Sequence, residues 1–351
     1  MSASVPGNID CAITVEQKLA LAQVWDDGGS VSAEYVAVTD AVRAVRTNQT
    51  ARFKLLEDPD KDYDLKIWWP DDCREGEPDD CEDECAVDGD VAGTQCVDYA
   101  LTDCFGWSWA ITEKMFRTSD MTPDQLVAVE ILKAMKIMDE KLDRKAMDLL
   151  LAARGVNKFD APAGQYNVGG LVTWIPAAAW NADLAAYLWL AAKKNKQTLP
   201  KVLTDTNLAQ LSFLIENQTT DPMGASAAAK FNKAFGGMYM DINMDEHLGT
   251  KSTFLFQGNA LFIANQARNS GKDRGRKVQH PTTGVFVTRD IMASRNIPGI
   301  TYDLFKSEVC VAGGDIKTSW RLQFRGGFFA NPTGCDTDRT GVLELRCGTG
   351  A

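Results

Sequence analysis

The chain predicts an α+β protein, on three observations. Residues 123 to 154 read as one uninterrupted helix. From residue 237 onward, short alternating segments read as strands. Ahead of the helix, residues 51 to 118 read as two strands joined by an acidic, cysteine-rich loop.

The helix has a defined start. Thr122 is a good N-cap, Pro123 occupies the first helical position, and Gln125 closes a Thr-x-x-Gln capping box. Apolar residues then recur at helical spacing: Leu126, Val129, Ile131, Leu132, Met135, Met138, Leu142 and Leu149. Lys and Asp/Glu fill the gaps, and Gly155 after Arg154 supplies a C-terminal stop. At 1.5 Å per residue such a helix is about 48 Å long, against about 11–12 residues for an average helix. It reads equally as a strut on which other parts hang or as the long core helix of an ordinary domain.

The remaining elements follow in order. Residues 1 to 50 read as an N-terminal arm with two short helices, the first boxed by Thr14 and Gln17, with a break at Asp26-Asp27-Gly28-Gly29. Asp64 to Trp69 reads as a strand, and Phe105 to Phe116 alternates like a strand returning beside it. Beyond the strut, helices are expected at about 181–195, 207–217 and 224–235, with Pro200 and Pro222 as breakers. Strands are expected at Gly237 to Ile242, Thr253 to Ala264, Gly284 to Thr288, Tyr302 to Val311, Ser319 to Phe329 and Gly341 to Cys347. Leu171 to Ala192 contains Pro176, Asn181 and Asp183, so it reads as a loop entering a buried helix and not as a membrane span.

At 351 residues, 45% hydrophobic and 24% charged, the chain is long enough for one large core or two smaller ones. Its net charge of −11 is unevenly spread. Residues 57 to 104 hold 18 of the 48 acidic residues and only 3 of the 37 basic ones, leaving 30 acidic against 34 basic elsewhere. The acidic segment must face water, a cation or a basic partner surface. The N-terminus, Met1 to Cys11, lacks a basic start and an apolar run, which predicts no secretory leader and thiols that begin reduced.

Catalytic chemistry finds little support. Only two histidines are present, His247 and His280, and no P-loop, dinucleotide-binding glycine fingerprint, Gly-x-Ser-x-Gly or His-Glu-x-x-His pattern occurs. A Cys310 with His247 pair would be the starting point for a cysteine-dependent hydrolase, the weakest alternative. Five of the nine cysteines, Cys73, Cys81, Cys85, Cys96 and Cys104, lie in the acidic segment; Cys11 is N-terminal, and Cys310, Cys335 and Cys347 are C-terminal. Cys81, Cys85, Cys96 and Cys104 allow tetrahedral zinc, although their spacing departs from the usual C-x2-C knuckle. Disulfides, which also bring in Cys73, Cys310, Cys335 and Cys347, and free thiols are the other readings. Asp79, Asp80, Glu82, Asp83, Glu84, Asp88 and Asp90 are oxygen donors suited to calcium, but they lack an EF-hand loop and read better as a solvated tip. Residues 268 to 281 form a basic, turn-rich loop; Arg268 to Lys277 suit contact with phosphate, but the loop reads better as a mobile surface loop at a subunit contact. A metal- or disulfide-stabilised binding or decoration protein using residues 71–104 is therefore the main alternative function.

Several short strings carry a resemblance: Thr204-Asp-Thr-Asn-Leu208, Tyr239-Met-Asp-Ile-Asn-Met-Asp245, Pro298-Gly-Ile-Thr-Tyr-Asp303, Asn331-Pro-Thr-Gly-Cys335 and Thr340-Gly-Val-Leu343. Together with the order of arm, β-excursion, long helix and mixed body, the chain resembles the major capsid proteins of tailed bacteriophages with the Hong Kong 97-type fold, and those of phages of Bacteroidetes-type hosts in particular. The resemblance implies an N-terminal arm at 1–50, an extended β-loop at 51–118, a peripheral domain at 119–160 with its spine helix at 123–154, an axial domain at 161–300 and C-terminal strands at 301–351. It implies a structural protein and no enzyme, without a cofactor, that joins copies of itself into hexamers and pentamers. The implied location is the virion capsid, assembled in the host cytoplasm. Packaged double-stranded DNA, portal and decoration proteins are its implied further partners, and a membrane is not. Some relatives crosslink Lys to Asn between subunits, and no such pair can be matched here. The cysteine-rich acidic insertion is not a requirement of that fold.

Overall fold

The computed structural model describes residues 64–70, 94–119, 121–157, 167–169, 171–176, 184–195, 197, 200–205, 238–248, 252–257, 260–270, 274–279, 283–311, 313–330 and 341–348; for 64–70 and 94–100 it describes the backbone. The described residues fall into two compact units. One is formed by Leu101–Lys145 and Ile263–Gly327, the other by Asp64–Ala100, Ala146–Phe262 and Phe328–Ala351.

The first unit is built on an antiparallel sheet. Its strands are β3 (Asp103–Thr112), β10 (Lys277–Gln279), β11 (Phe286–Ala293), β12 (Thr301–Cys310) and β13 (Ile316–Ala330), ordered β10-β11-β12-β13-β3, and β9 (Leu261–Asn265) also pairs with β13. Period-2 alternation sorts the residues onto two faces. On β13, Trp320, Leu322 and Phe324 are buried while Arg321 is exposed and Gln323 half-buried. Tyr302 and Leu304 of β12 are buried with them. Trp109 stacks on its directly opposed partner Trp320 at 6.2 Å, and Phe105 meets its own partner Phe324 at 5.1 Å. A Cβ on Gly106 would sit 2.6 Å from the Leu322 carbonyl oxygen, so the close approach of β3 to β13 requires glycine there.

The short helix α1 (Glu113–Thr118) leads into α2 (Pro123–Ala152), 30 residues long. The capping box is reciprocal: the Gln125 N–H donates to Thr122 Oγ1 at 3.3 Å, and the Thr122 N–H donates to Gln125 Oε1 at 3.1 Å. Val127, Ala128, Ile131, Ala134, Met135, Met138 and Leu142 form its buried stripe in the first unit. Ala146, Met147 and Leu150 continue that stripe in the second. The helix ends two residues earlier than the sequence suggests. Arg154 forms a parallel bridge with Val342, and the Gly155 N–H donates to the Val342 carbonyl, so the strand that carries Val342 captures the chain as it leaves the helix.

The second unit holds a mixed sheet ordered β4-β5-β14-β8-β6-β7. Its strands are β4 (Asn167–Gly169), β5 (Val172–Ile175), β6 (Lys201–Thr204), β7 (Met238–Met240), β8 (Ser252–Phe256) and β14 (Val342–Cys347). β14 runs parallel to β5, and β6 parallel to β7. Every residue of β8 is buried, as expected of a central strand covered on both sides. Helices α3 (Leu184–Lys194) and α4 (Ile242–His247) also belong to this unit, with Leu188, Ala191 and Ala192 of α3 buried. The antiparallel pair β1 (Asp64–Pro70) and β2 (Thr94–Ala100) also belongs to it.

Three expectations need correction. The strand read at 105–116 does not return beside Asp64–Trp69. β1 pairs with β2, while β3 pairs with β13 over Asp103–Thr112. The single strand expected over Thr253 to Ala264 is two, β8 and β9, separated by a turn in which the Ala260 N–H donates to the Gln257 carbonyl. The strand expected at Gly237 to Ile242 gives way to α4, because Asp241 caps the Asn243 N–H at 3.1 Å and starts a helix. The helices expected at 207–217 and 224–235 lie outside the described residues, as does the arm.

Candidate functional site

The candidate features are three buried carboxylate clusters and one open sheet face. The first cluster is centred on Asp139, fully buried on the apolar side of α2. Ser294 Oγ donates to it at 2.9 Å, Asn296 Nδ2 at 2.7 Å and Tyr302 Oη at 2.5 Å. These partners flank the β11–β12 connection. There the Ile300 N–H donates to the Ile297 carbonyl, with Pro298 and Gly299 (φ 105°) at the central positions, the pairing a type II turn favours. The Arg295 N–H meets Met135 Sδ at 3.3 Å. Burial pushes the Asp139 carboxyl up to about 6, although its three hydrogen bonds pull the other way. The cluster tethers a hairpin turn to α2.

A second carboxylate in the same unit, Asp303, accepts from the backbone N–H groups of Arg268 and Asn269 at 3.2 and 2.8 Å. Burial pushes its carboxyl up against those same hydrogen bonds. Asn269 in turn donates to the Asp290 and Leu304 carbonyls, and Arg274 Nε pairs with Asp290 at 3.1 Å. The basic loop read at 268–281 is thus partly structural: Arg268–Ser270 forms a 3-10 turn held by Asp303.

In the second unit the corresponding feature is Glu344 of β14, buried between Arg154 and Arg346, whose Nε lies 2.5 Å away. Nearby, Asn157 donates to Thr173 at 2.9 Å, and Asn195 donates to Asn157 at 2.7 Å. His247 Nε2 meets Asp148 Oδ1 at 2.7 Å near the surface.

The open face of the first sheet presents directly opposed residues in rows. Arg289, Phe305, Arg321 and Ser108 form one row; Val287, Ser307, Ser319 and Ala110 form the next. A groove of about 510 Å3 lies over these rows.

The cysteines expected to act together are placed only in part. Cys104 and Cys310 are exposed free thiols and Cys347 is a half-buried free thiol. Gln323 donates to Cys104 Sγ at 2.9 Å. Cys73, Cys81, Cys85, Cys335 and the side chain of Cys96 lie outside the described residues, as do the acidic residues 79–90 and His280. Among the described residues no group of three or more His, Cys, Asp or Glu side chains is arranged to hold a metal. His247 is engaged by Asp148 in the second unit, whereas Cys310 ends β12 in the first. Among the aromatic residues of β3, Trp107 is 44% exposed, while Phe105 and Trp109 are half-buried against Phe324 and Trp320. Sequence reasoning missed Asp139 and Glu344. The signal for Asp139 was its helical position, four residues after Met135, among the core residues of the stripe.

No protein-family model and no curated protein matches the chain. Solved structures are similar to it over most of its length. "Cyanophage A-1(L) capsid asymmetric unit" has 13% identity and a TM-score of 0.49, covering 83% of this chain and 90% of that one. "Capsid structure of the Cyanophage P-SCSP1u" has 11% identity and a TM-score of 0.44, covering 82% and 85%. "The capsid of Myoviridae Phage XM1" has 10% identity and a TM-score of 0.41, covering 83% and 88%. No helix among the described residues is long and apolar enough to cross a membrane.

Proposed function

We propose that this protein is a structural subunit that assembles with copies of itself into the icosahedral shell of a tailed bacteriophage. One observation carries the reading: a paired-strand excursion with an acidic connection precedes a 30-residue helix, and two separate sheets are built from β3 and the chain that follows the helix, an order that supports the capsid resemblance. β1 and β2 pair only with each other among the described strands. A lone two-stranded ladder is marginal in water, so a neighbouring subunit supplies the cover it needs.

In this reading residues 1–50 are the arm, 51–118 the extended loop, 119–160 the peripheral domain, 161–300 the axial domain and 301–351 the returning strands. Hexamers and pentamers are the assembly units. The shell forms in the host cytoplasm and encloses double-stranded DNA, with portal and decoration proteins as further partners. The cysteine-rich tip is stapled by disulfides or zinc after assembly. A disulfide closing a loop of about 15 residues contributes roughly 3 kcal/mol in the chain-entropy model. Non-reducing mass spectrometry and zinc analysis of particles test the staple, which free thiols without metal would exclude.

Size-exclusion chromatography and negative-stain microscopy of the full chain test the function. Ring-like clusters or closed particles are expected. A monomer that persists at high concentration, with amides protected throughout 51–118, would sink the reading.

A further inference from the structure

One donor buried in the first unit has no acceptor, and it belongs to a cation. Arg325 of β13 is half-buried, and its Nε, shielded from water, meets no hydrogen-bond partner. A buried donor left unmet is costly, the more so on a charged group, and it calls for an explanation. Its surroundings are fixed by contacts that leave the guanidinium aside. The Arg325 carbonyl accepts from the Gln266 N–H at 3.0 Å and from Asn265 Nδ2 at 3.2 Å, which holds β9 on one side. On the other side Arg325 stands directly opposite Cys104 of β3. Gln323, two residues earlier and on the same face of β13, commits its amide to Cys104 Sγ at 2.9 Å.

A second guanidinium shares this field. Burial, and then repulsion from Arg325, push the Arg268 guanidinium down. Asp303 is near both: burial pushes its carboxyl up, while the Arg325 and Arg268 charges pull it down. Its oxygens already accept from the backbone N–H groups of Arg268, at 3.2 Å, and Asn269, at 2.8 Å. Two guanidinium charges therefore stand against one carboxylate. The other carboxylates of this region have cations of their own, Asp103 with Lys145 at 3.6 Å and Asp290 with Arg274 at 3.1 Å. A water molecule would meet the Arg325 donor and leave the excess charge. A small oxyanion meets both, because the edge of a guanidinium holds phosphate or sulfate through paired, charge-assisted hydrogen bonds.

We infer that Arg325, in the positive field of Arg268, is the binding site for one compact oxyanion of the phosphate or sulfate class, where β9, β13 and the Arg268–Ser270 turn meet. Arg325 supplies the paired donors. Arg268 supplies charge and keeps the contacts it already makes. The bound ion offsets the repulsion between the two arginines and so steadies the turn against the sheet. The site lies within one unit of one chain, so it goes beyond the capsid reading and does not depend on it.

Phenylglyoxal, which modifies guanidinium groups, tests the site on the unmodified full chain, with the modified arginines located by peptide mass spectrometry. Inorganic phosphate is titrated at constant ionic strength, set with NaCl. Modification of Arg325 should slow about fivefold or more and level off as the site fills, while the exposed Arg321 keeps one rate throughout. Thermal unfolding gives the second measurement. Phosphate should raise the melting temperature along a saturating curve, and Arg325→Gln, which keeps an amide donor and loses the charge, should remove the saturating part. The general stabilisation by phosphate, which does not saturate, should remain in the variant. Arg325 reacting at one rate with and without phosphate overturns the inference, and so does protection that Arg321 shares. Protection by a short DNA duplex but not by phosphate assigns Arg325 to nucleic acid and overturns it as well. So does protection that follows protein concentration without phosphate, because another copy then covers the residue. If the variant does not fold, the arginine modification decides. If Arg325 resists the reagent, the melting curve of the unmodified chain decides, and a rise that never saturates overturns the inference. Microscopy of the same samples reads the capsid proposal separately: phosphate protection without particles keeps this site and removes that reading, and particles without protection do the reverse.

Discussion

Asp139 in the first unit and Glu344 in the second are both buried carboxylates, and they are held by different chemistry. Glu344 sits between two guanidinium groups, from Arg154 and Arg346, which offset its charge directly. Asp139 is held by a hydroxyl, an amide and a phenol, all neutral donors. Neutral donors fix geometry well, but they compensate only part of the cost of burying a charge. The Glu344 site is therefore a clamp that depends on its cations, and the Asp139 site is a tether whose strength depends on its proton. Both depend on α2, which carries Asp139 and delivers Arg154 just beyond its last turn.

Breaking that shared element gives the largest expected effect. Proline at Met138 removes an interior hydrogen bond and drives its ring against the Ala134 carbonyl. It also sits next to Asp139 and removes a fully buried side chain. Met138→Pro should lower stability by about 3 kcal/mol or more, seen as a lower urea midpoint and lost helical circular dichroism, and should abolish assembly. Normal particles from this variant would show that α2 is not the strut on which both sites depend.

The clamp should be the next most sensitive. Glu344→Gln keeps the shape and removes the charge, leaving Arg154 and Arg346 without their partner. Those side chains retain 21% and 32% exposure, so water relieves part of the cost. A loss of about 2–3 kcal/mol in urea unfolding is expected, below the range for a wholly buried pair. Unchanged stability would mean that the arginines are satisfied elsewhere and that the contrast with Asp139 is false.

The sequence shows local signals and hides distant ones, and these two sites illustrate the difference. Thr122, Pro123 and Gln125 announce the start of α2 within four residues, and the structure closes that box as the spacing requires. Asp139 was legible in principle, since an acid on the apolar stripe of a helix needs a partner. Its partners lie some 155 to 163 residues away, and nothing local points to them. The pairing of β3 with β13 has the same character: Phe105 meets Phe324 across more than two hundred residues, so β3 was read as the partner of the nearer strand instead. At Glu344 the alternation of β14 marks a buried position, but only the fold brings Arg154 to it.

The tether should reveal itself through pH. The Asp139 carboxyl lies at about 6 in the folded protein against an ordinary value of 3.8. Between those values the folded state holds a proton that the unfolded chain has released. Stability therefore falls as pH rises through that window, is greatest below about 4, and levels off above about 6. The difference corresponds to about 3 kcal/mol. Asp139→Asn cannot titrate and should lose this slope, at a cost of about 1 kcal/mol below pH 4 from one mismatched donor. Urea midpoints of both proteins across pH 4 to 7 decide the matter. Parallel curves would assign the pH dependence to other groups and remove Asp139 from the comparison.

The smallest effect should come from the pair that shares the short distance but lacks the burial. His247 Nε2 and Asp148 Oδ1 are 2.7 Å apart, as close as Asn296 and Asp139, yet the Asp148 side chain is 55% exposed. Water solvates that carboxylate in the folded and unfolded chain alike, so the contact exchanges one good partner for another. His247→Gln, which keeps a hydrogen-bonding side chain, should change stability by less than about 1 kcal/mol in urea unfolding. If burial governs how much a carboxylate contributes, the two buried ones, Glu344 and Asp139, must each outweigh Asp148. A loss above about 2 kcal/mol for His247→Gln would reverse it and place the deciding factor in hydrogen-bond geometry instead.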